Sequence, residues 1–92
     1  MAKTYTWEIK EEIQNENEEI ETVLHTVKLI CSPTLGKAII NIDGDEYDIS
    51  TGPFKLKGTN QMFRLGELPA VVDFPKKGDP TVTINGEKVA PK

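Results

Sequence analysis

Ala38-Ile39-Ile40-Asn41-Ile42-Asp43-Gly44-Asp45-Glu46-Tyr47-Asp48-Ile49 is the stretch on which the fold turns. Asp-Gly favours a two-residue hairpin loop, because both central positions of a type I′ turn need positive φ. With the loop at 43–44, Ile42 faces Asp45, Ile40 faces Tyr47 and Ala38 faces Ile49. All six side chains then lie on one face, and five of them are apolar. A slip of one residue would turn that set to the opposite face. Pairing register and hydrophobic phase therefore agree on an antiparallel hairpin.

The same arithmetic works near the end of the chain. A loop at Asn85-Gly86 sets Ile84 against Glu87 and Val82 against Val89. Between and before the two hairpins, glycines recur at 36, 44, 52, 58, 66, 78 and 86, at intervals of mostly eight residues. That spacing of turn signals belongs to a sheet protein of short strands. Prolines 33, 53, 69, 75 and 80 fall beside the same breaks, where a missing N–H does little harm. Residues 33–92 leave no room for a helix of ordinary length.

Side chains between the breaks alternate with period two, as strands with one buried face require. Tyr5, Trp7 and Ile9 share a face, as do Val23, His25, Val27, Leu29 and Cys31. Phe54 with Leu56, Phe63 with Leu65, and Leu68, Ala70, Val72 and Phe74 continue the pattern. The count is eight or nine strands. No βαβ pattern occurs, so the sheets must pair or close on themselves to cover their apolar faces. The expectation is an all-β fold, an antiparallel two-sheet β-sandwich of about eight strands, in one domain over residues 1–92.

One segment reads two ways. Ile9, Ile13, Ile20 and Leu24 are spaced compatibly with an amphipathic helix. Asn15 and Asn17 are poor helix formers, and β-like alternation flanks the segment on both sides. The reading adopted is strand, acidic loop over 14–21, strand.

Net charge is −4, unevenly spread: residues 1–21 hold seven acids and two bases. Glu11, Glu12, Glu16, Glu18, Glu19 and Glu21 read as a solvated connection, as like-charge runs usually are. Nucleic acid, which wants a basic face, is not an expected partner. No run approaches the ~18 apolar residues of a membrane helix, so no membrane partner is expected either. Residues 1–8 lack the apolar stretch of a secretory signal, which makes a cytoplasmic location the expectation. The single cysteine, Cys31, agrees, since small secreted domains usually rely on several disulfides.

Candidate chemistry is sparse, and no catalytic residue, metal site or cofactor is assigned. Asp43, Asp45, Glu46 and Asp48 surround Gly44, but the spacing departs from a calcium loop and fits a charged β-turn in water. His25, the only histidine, is in phase with Val23, Val27 and Leu29 and reads as a hydrogen-bonded core histidine. Sequence spacing offers it no co-ligands. Cys31 lies six residues along the same strand, about 20 Å away at strand rise, so the two form no dyad. Trp7 reads as core. Thr34-Leu35-Gly36-Lys37 has one glycine and a strand after it, unlike a phosphate loop, and Lys76-Lys77-Gly78-Asp79-Pro80 reads as a turn.

Six pieces of the chain, in order, resemble one repeat of the Fas apoptotic inhibitory molecule family. They are Trp7-Glu8-Ile9, His25-Thr26-Val27-Lys28-Leu29, and Gly36-Lys37-Ala38-Ile39-Ile40-Asn41-Ile42-Asp43-Gly44. After them come Phe54-Lys55-Leu56-Lys57-Gly58, Phe63 with Leu65-Gly66, and Thr83-Ile84-Asn85-Gly86-Glu87. The chain departs from that family in having one repeat, an acidic insertion at 14–21 and a Pro-rich turn at 75–80. The resemblance implies a β-sandwich and, through the family's roles in cell-death regulation, protection against aggregation and protein contacts, a protein-binding function. The expectation is a non-enzymatic module for protein–protein interaction or self-association, with a possible homodimer. A small-ligand or ion-binding domain using the acidic turn at 43–48 is the alternative.

Overall fold

The structure, a computed structural model, describes residues 2–32 and 34–91. Pro33 lies outside them. Eight strands run in order: β1 (Lys3–Gln14), β2 (Ile20–Ser32), β3 (Lys37–Ile42), β4 (Asp45–Asp48), β5 (Thr59–Leu65), β6 (Leu68–Phe74), β7 (Thr81–Ile84) and β8 (Glu87–Val89). They form two antiparallel four-stranded meanders, β1-β2-β3-β4 and β5-β6-β7-β8, each with strands in sequence order. Both sheets turn their inner faces to one core. Trp7, Val27, Leu29, Ala38 and Ile40 come from the first sheet, and Leu65, Ala70, Val72, Phe74 and Val82 from the second. The alternation demanded by the pleat is therefore what assembles the sandwich.

Both hairpins have the registers read from the sequence. Ile42 pairs with Asp45 and Ile40 with Tyr47, while Ile49 donates its N–H to the Ala38 carbonyl at 2.9 Å. Ile84 pairs with Glu87 and Val82 with Val89. Asp43 and Gly44 have φ of 51° and 96°, and Asn85 and Gly86 have 49° and 85°, the double positive φ of a type I′ turn.

Two readings need correction. The loop expected over 14–21 spans only the residues between Gln14 and Ile20, because the flanking strands pair all the way to Gln14↔Ile20. Asn15 makes the tight reversal possible. Its Oδ1 accepts the backbone N–H groups of Asn17 and Glu19 at 2.9 and 3.0 Å, and Glu18 supplies a positive φ of 59°. Beyond Val27, β2 has β1 as its only ladder partner, so this hairpin continues as a two-stranded ribbon. Its length contributes to a molecule 50 Å long and about 20 Å across.

The second correction concerns Phe54 and Leu56, which lie in no strand. The segment between β4 and β5 must cross from one sheet to the other, and it does so through turns. Phe54 N–H reaches the Thr34 carbonyl at 3.2 Å and Lys55 N–H the Gly52 carbonyl at 3.1 Å. Phe54 adopts φ 61° and is 79% exposed, whereas Leu56 is 1% exposed and plugs the core. Gly36 permits the crossing to pack: a Cβ there would lie 2.1 Å from the Gly52 carbonyl oxygen.

Candidate functional site

Period-two alternation puts Glu11 of β1 and His25 of β2 on the inner face, in the ribbon just beyond the apolar core. Glu11 is 5% exposed and His25 6%. The β3–β4 turn brings Asp43 to the other side of the imidazole. His25 Nε2 lies 2.9 Å from Glu11 Oε1, and Nδ1 lies 2.6 Å from Asp43 Oδ2. The remaining oxygens are satisfied by backbone. Asp43 Oδ1 accepts Thr26 N–H at 2.8 Å, and Glu11 Oε2 accepts Glu67 N–H at 3.1 Å.

The last bond crosses between sheets, because Glu67 sits in the two-residue turn joining β5 to β6. Gly66 beside it has φ 62°, and a Cβ there would come within 2.4 Å of Glu11 Oε1. The absence of a side chain at 66 is what lets the carboxylate approach the turn. The result is a chain of contacts, Asp43–His25–Glu11–Glu67, that clasps two hairpin turns and two strands at one end of the sandwich.

An ionised carboxylate only accepts, so two of them can be satisfied by one imidazole only if both ring nitrogens carry protons. His25 is accordingly held protonated above its ordinary range, by its bond to Asp43 first and to Glu11 second, against the opposing effect of burial. Glu11 is held below the usual carboxylate range by its bond to His25. For Asp43 the largest influence, burial, acts upward, but the bonds from His25 and Thr26 together outweigh it and leave the carboxyl lowered. Both nitrogens are committed, which leaves His25 no free lone pair to act as a general base or metal ligand. Among the described residues no three His, Cys, Asp or Glu side chains converge as a metal ion requires.

The hydrogen-bonded core His25 of the sequence reading is thus found, but its acidic partners were missed. Glu11 had been assigned to a solvated run and Asp43 to a turn in water. The pairing of β1 with β2 sets Ile9 opposite His25 and Glu11 opposite Val23, so the phase of Tyr5, Trp7 and Ile9, carried two residues further than expected, places both groups on one face. Cys31 is 1% exposed, and burial pushes its thiol upward. Trp7 is fully buried, as read.

The long sides of the sandwich differ. On the side of β1 and β8, Trp7 Nε1 donates to the Val89 carbonyl at 3.1 Å and Tyr5 OH to Asp79 Oδ1 at 3.0 Å. Burial and the Asp79 contact push the Tyr5 hydroxyl up to about 12. On the side of β4 and β5, an open groove of about 880 Å³ runs between the two edge strands. Ile40, Ile42, Ile49 and Phe63 are among its apolar lining, and Asp43, Asp45, Asp48 and Arg64 among its charged lining. Tyr47 and Met62 are 52% and 72% exposed. The inward phase of Tyr47 was legible from the hairpin, but the second sheet does not cover that ring.

Comparison with protein-family models, curated proteins and solved structures found no match for this chain. The site is therefore read from its own chemistry.

Proposed function

We propose that this chain is a non-enzymatic β-sandwich module that binds a protein partner through the groove between β4 and β5. The observation that carries the reading is the asymmetry of the sandwich. One long side is latched by Trp7 to β8 and by Tyr5 to the β6–β7 connection, beside a smaller groove of about 360 Å³; the other presents two edge strands across a larger, apolar-floored groove. Edge strands carry backbone donors and acceptors without ladder partners, and apolar pockets beside them give such surfaces side-chain selectivity. The engaged nitrogens of His25 and the buried Cys31 thiol supply no nucleophile–base pair, which favours binding over catalysis. The resemblance to a family with protein-contact roles points the same way. In that family two repeats occur together, and a homodimer of this single repeat is the self-associating version of the proposal.

The test places a photo-crosslinking amino acid at Tyr47, in the groove, and separately at Lys28, on the outer face of β2. Partners captured at 47 and not at 28 support the reading. Equal capture at both positions, or none at 47, refutes it. Light scattering over a range of concentrations addresses the homodimer: a strict monomer to high micromolar concentration removes that version.

A further inference from the structure

We infer that the groove takes an extended peptide segment with alternating basic and apolar side chains, added as a further strand on the free edge of β4. The inference rests on the groove reading above and names the occupant.

Backbone geometry comes first. The two-residue loop at 43–44 makes Ile42 and Asp45 a hydrogen-bonded pair, and along an antiparallel ladder such pairs alternate with non-bonded ones. Asp45 and Tyr47 therefore turn their backbone groups toward β3, whereas Glu46 and Asp48 turn theirs outward at the edge of the sheet. Two residues with outward N–H and C=O groups can dock a short strand of about four or five residues, roughly 15 Å at strand rise.

Side-chain chemistry then selects the occupant. The floor accepts apolar groups, through half-buried Ile42, Ile49 and Phe63. The opposite face of β4 is acidic: Glu46 and Asp48 share it, out of phase with Asp45 and Tyr47. Bonds from Ser50 hold the Asp48 carboxyl below its usual range, so it is ionised at neutral pH. A strand bearing lysines on alternate positions satisfies both demands.

The same residues disfavour a second copy of β4 as the occupant. Pairing the strand antiparallel with itself in the register its outward groups allow, centred on Tyr47, would set Glu46 directly opposite Asp48 twice, and like charges directly opposite are destabilising. Charges on an edge strand commonly prevent such self-pairing. Here they leave the edge open to a basic strand only.

The experiment measures fluorescence anisotropy of the full chain with three fluorescein-labelled probes. The first is Lys-Val-Lys-Val-Lys-Val-Lys, the second replaces each Lys by Glu, and the third is the lysine peptide N-methylated at every second residue. The lysine peptide should bind saturably, the glutamate peptide should not, and N-methylation should weaken binding at least about tenfold by removing strand hydrogen bonds. E46Q/D48N, which keeps an acceptor for Ser50, should weaken the lysine peptide about tenfold with an unchanged circular dichroism spectrum. Amide exchange at Glu46 and Asp48 should slow on binding. No binding of the lysine peptide, equal binding of the N-methylated one, or indifference to E46Q/D48N overturns the inference. If that happens while crosslinking at Tyr47 still captures a partner, the basic strand is wrong and the groove reading stands. If both fail, both fall.

Discussion

Replacing Leu56 by alanine tests the account of how the chain crosses between sheets. Read as part of a strand, Phe54 and Leu56 share one face and should matter about equally. In the folded chain they differ: Leu56 is 1% exposed and Phe54 79%. The Leu56→Ala change removes three buried carbons, worth about 2.4 kcal/mol at roughly 0.8 kcal/mol each. Around it stand Phe74, Pro75 and Pro80, lining a void of about 20 Å³, and two rigid proline rings cannot collapse far into the space. The cavity contribution then brings the loss to about 3–4 kcal/mol. A 92-residue domain has roughly 5–14 kcal/mol in all, so the variant should remain folded but much weakened. With a urea m-value of about 1.5 kcal/mol/M, its midpoint falls by about 2 M. Fluorescence of Trp7, the only tryptophan and fully buried, reports the transition. Phe54→Ala should stay within about 0.5 kcal/mol of the parent. Similar losses for the two variants, or a larger loss at Phe54, would refute the reasoning.

Four further outcomes follow from the same contacts. Phe54→Gly should stabilise the protein by about 1 kcal/mol, because φ 61° costs a bulky L-residue and not glycine; differential scanning calorimetry checks it. Gly66→Ala should lose more than Gly44→Ala in urea titrations. Each pays about 1–2 kcal/mol for the left-handed backbone, but only at 66 does the added Cβ meet the Glu11 carboxylate, while at 44 it meets nothing within 4 Å. The clasp predicts a pH profile: His25, raised above 6.5, contributes fully below that pH, and the contribution is lost as pH rises through its folded value. Glu11 and Asp43, lowered from 4.5 and 3.8, contribute above those values and lose it as pH falls through their folded ones. Stability from the clasp is therefore greatest between about pH 4.5 and 6.5, and His25→Gln should be destabilised at pH 6 and lose the decline above 6.5. Cys31 should resist a thiol reagent until the chain is unfolded, since it is buried and its thiolate disfavoured.

What the sequence determined by itself was local and periodic. Asp43-Gly44 and Asn85-Gly86 demand positive φ at both turn positions, and the apolar residues on either side come into phase in only one register. Alternation along 5–10 and 22–31 likewise marked Trp7, Val27, Leu29 and His25 as inward. Those are properties of neighbours along the chain, and two strands with one buried face made from them must find a second layer.

Tertiary structure decided how the layers meet, and that is where the candidate site lies. Glu11 is one more glutamate in an acidic run until the β5–β6 turn, more than 50 residues away, offers the Glu67 N–H across the sheets. Asp43 reads as a solvated turn acid because nothing nearby in sequence shows that its hairpin closes over His25. Phe54 and Leu56 keep the spacing of a strand, but the chain has to change sheets there, and the turns that take it across override the pattern. The groove had no signal beyond the inward phase of Tyr47, because it exists only where the edges of two sheets come together. Period and turn chemistry act over a few residues; the meeting of Asp43, His25 and Glu11 depends on contacts between distant ones, which sequence spacing does not encode.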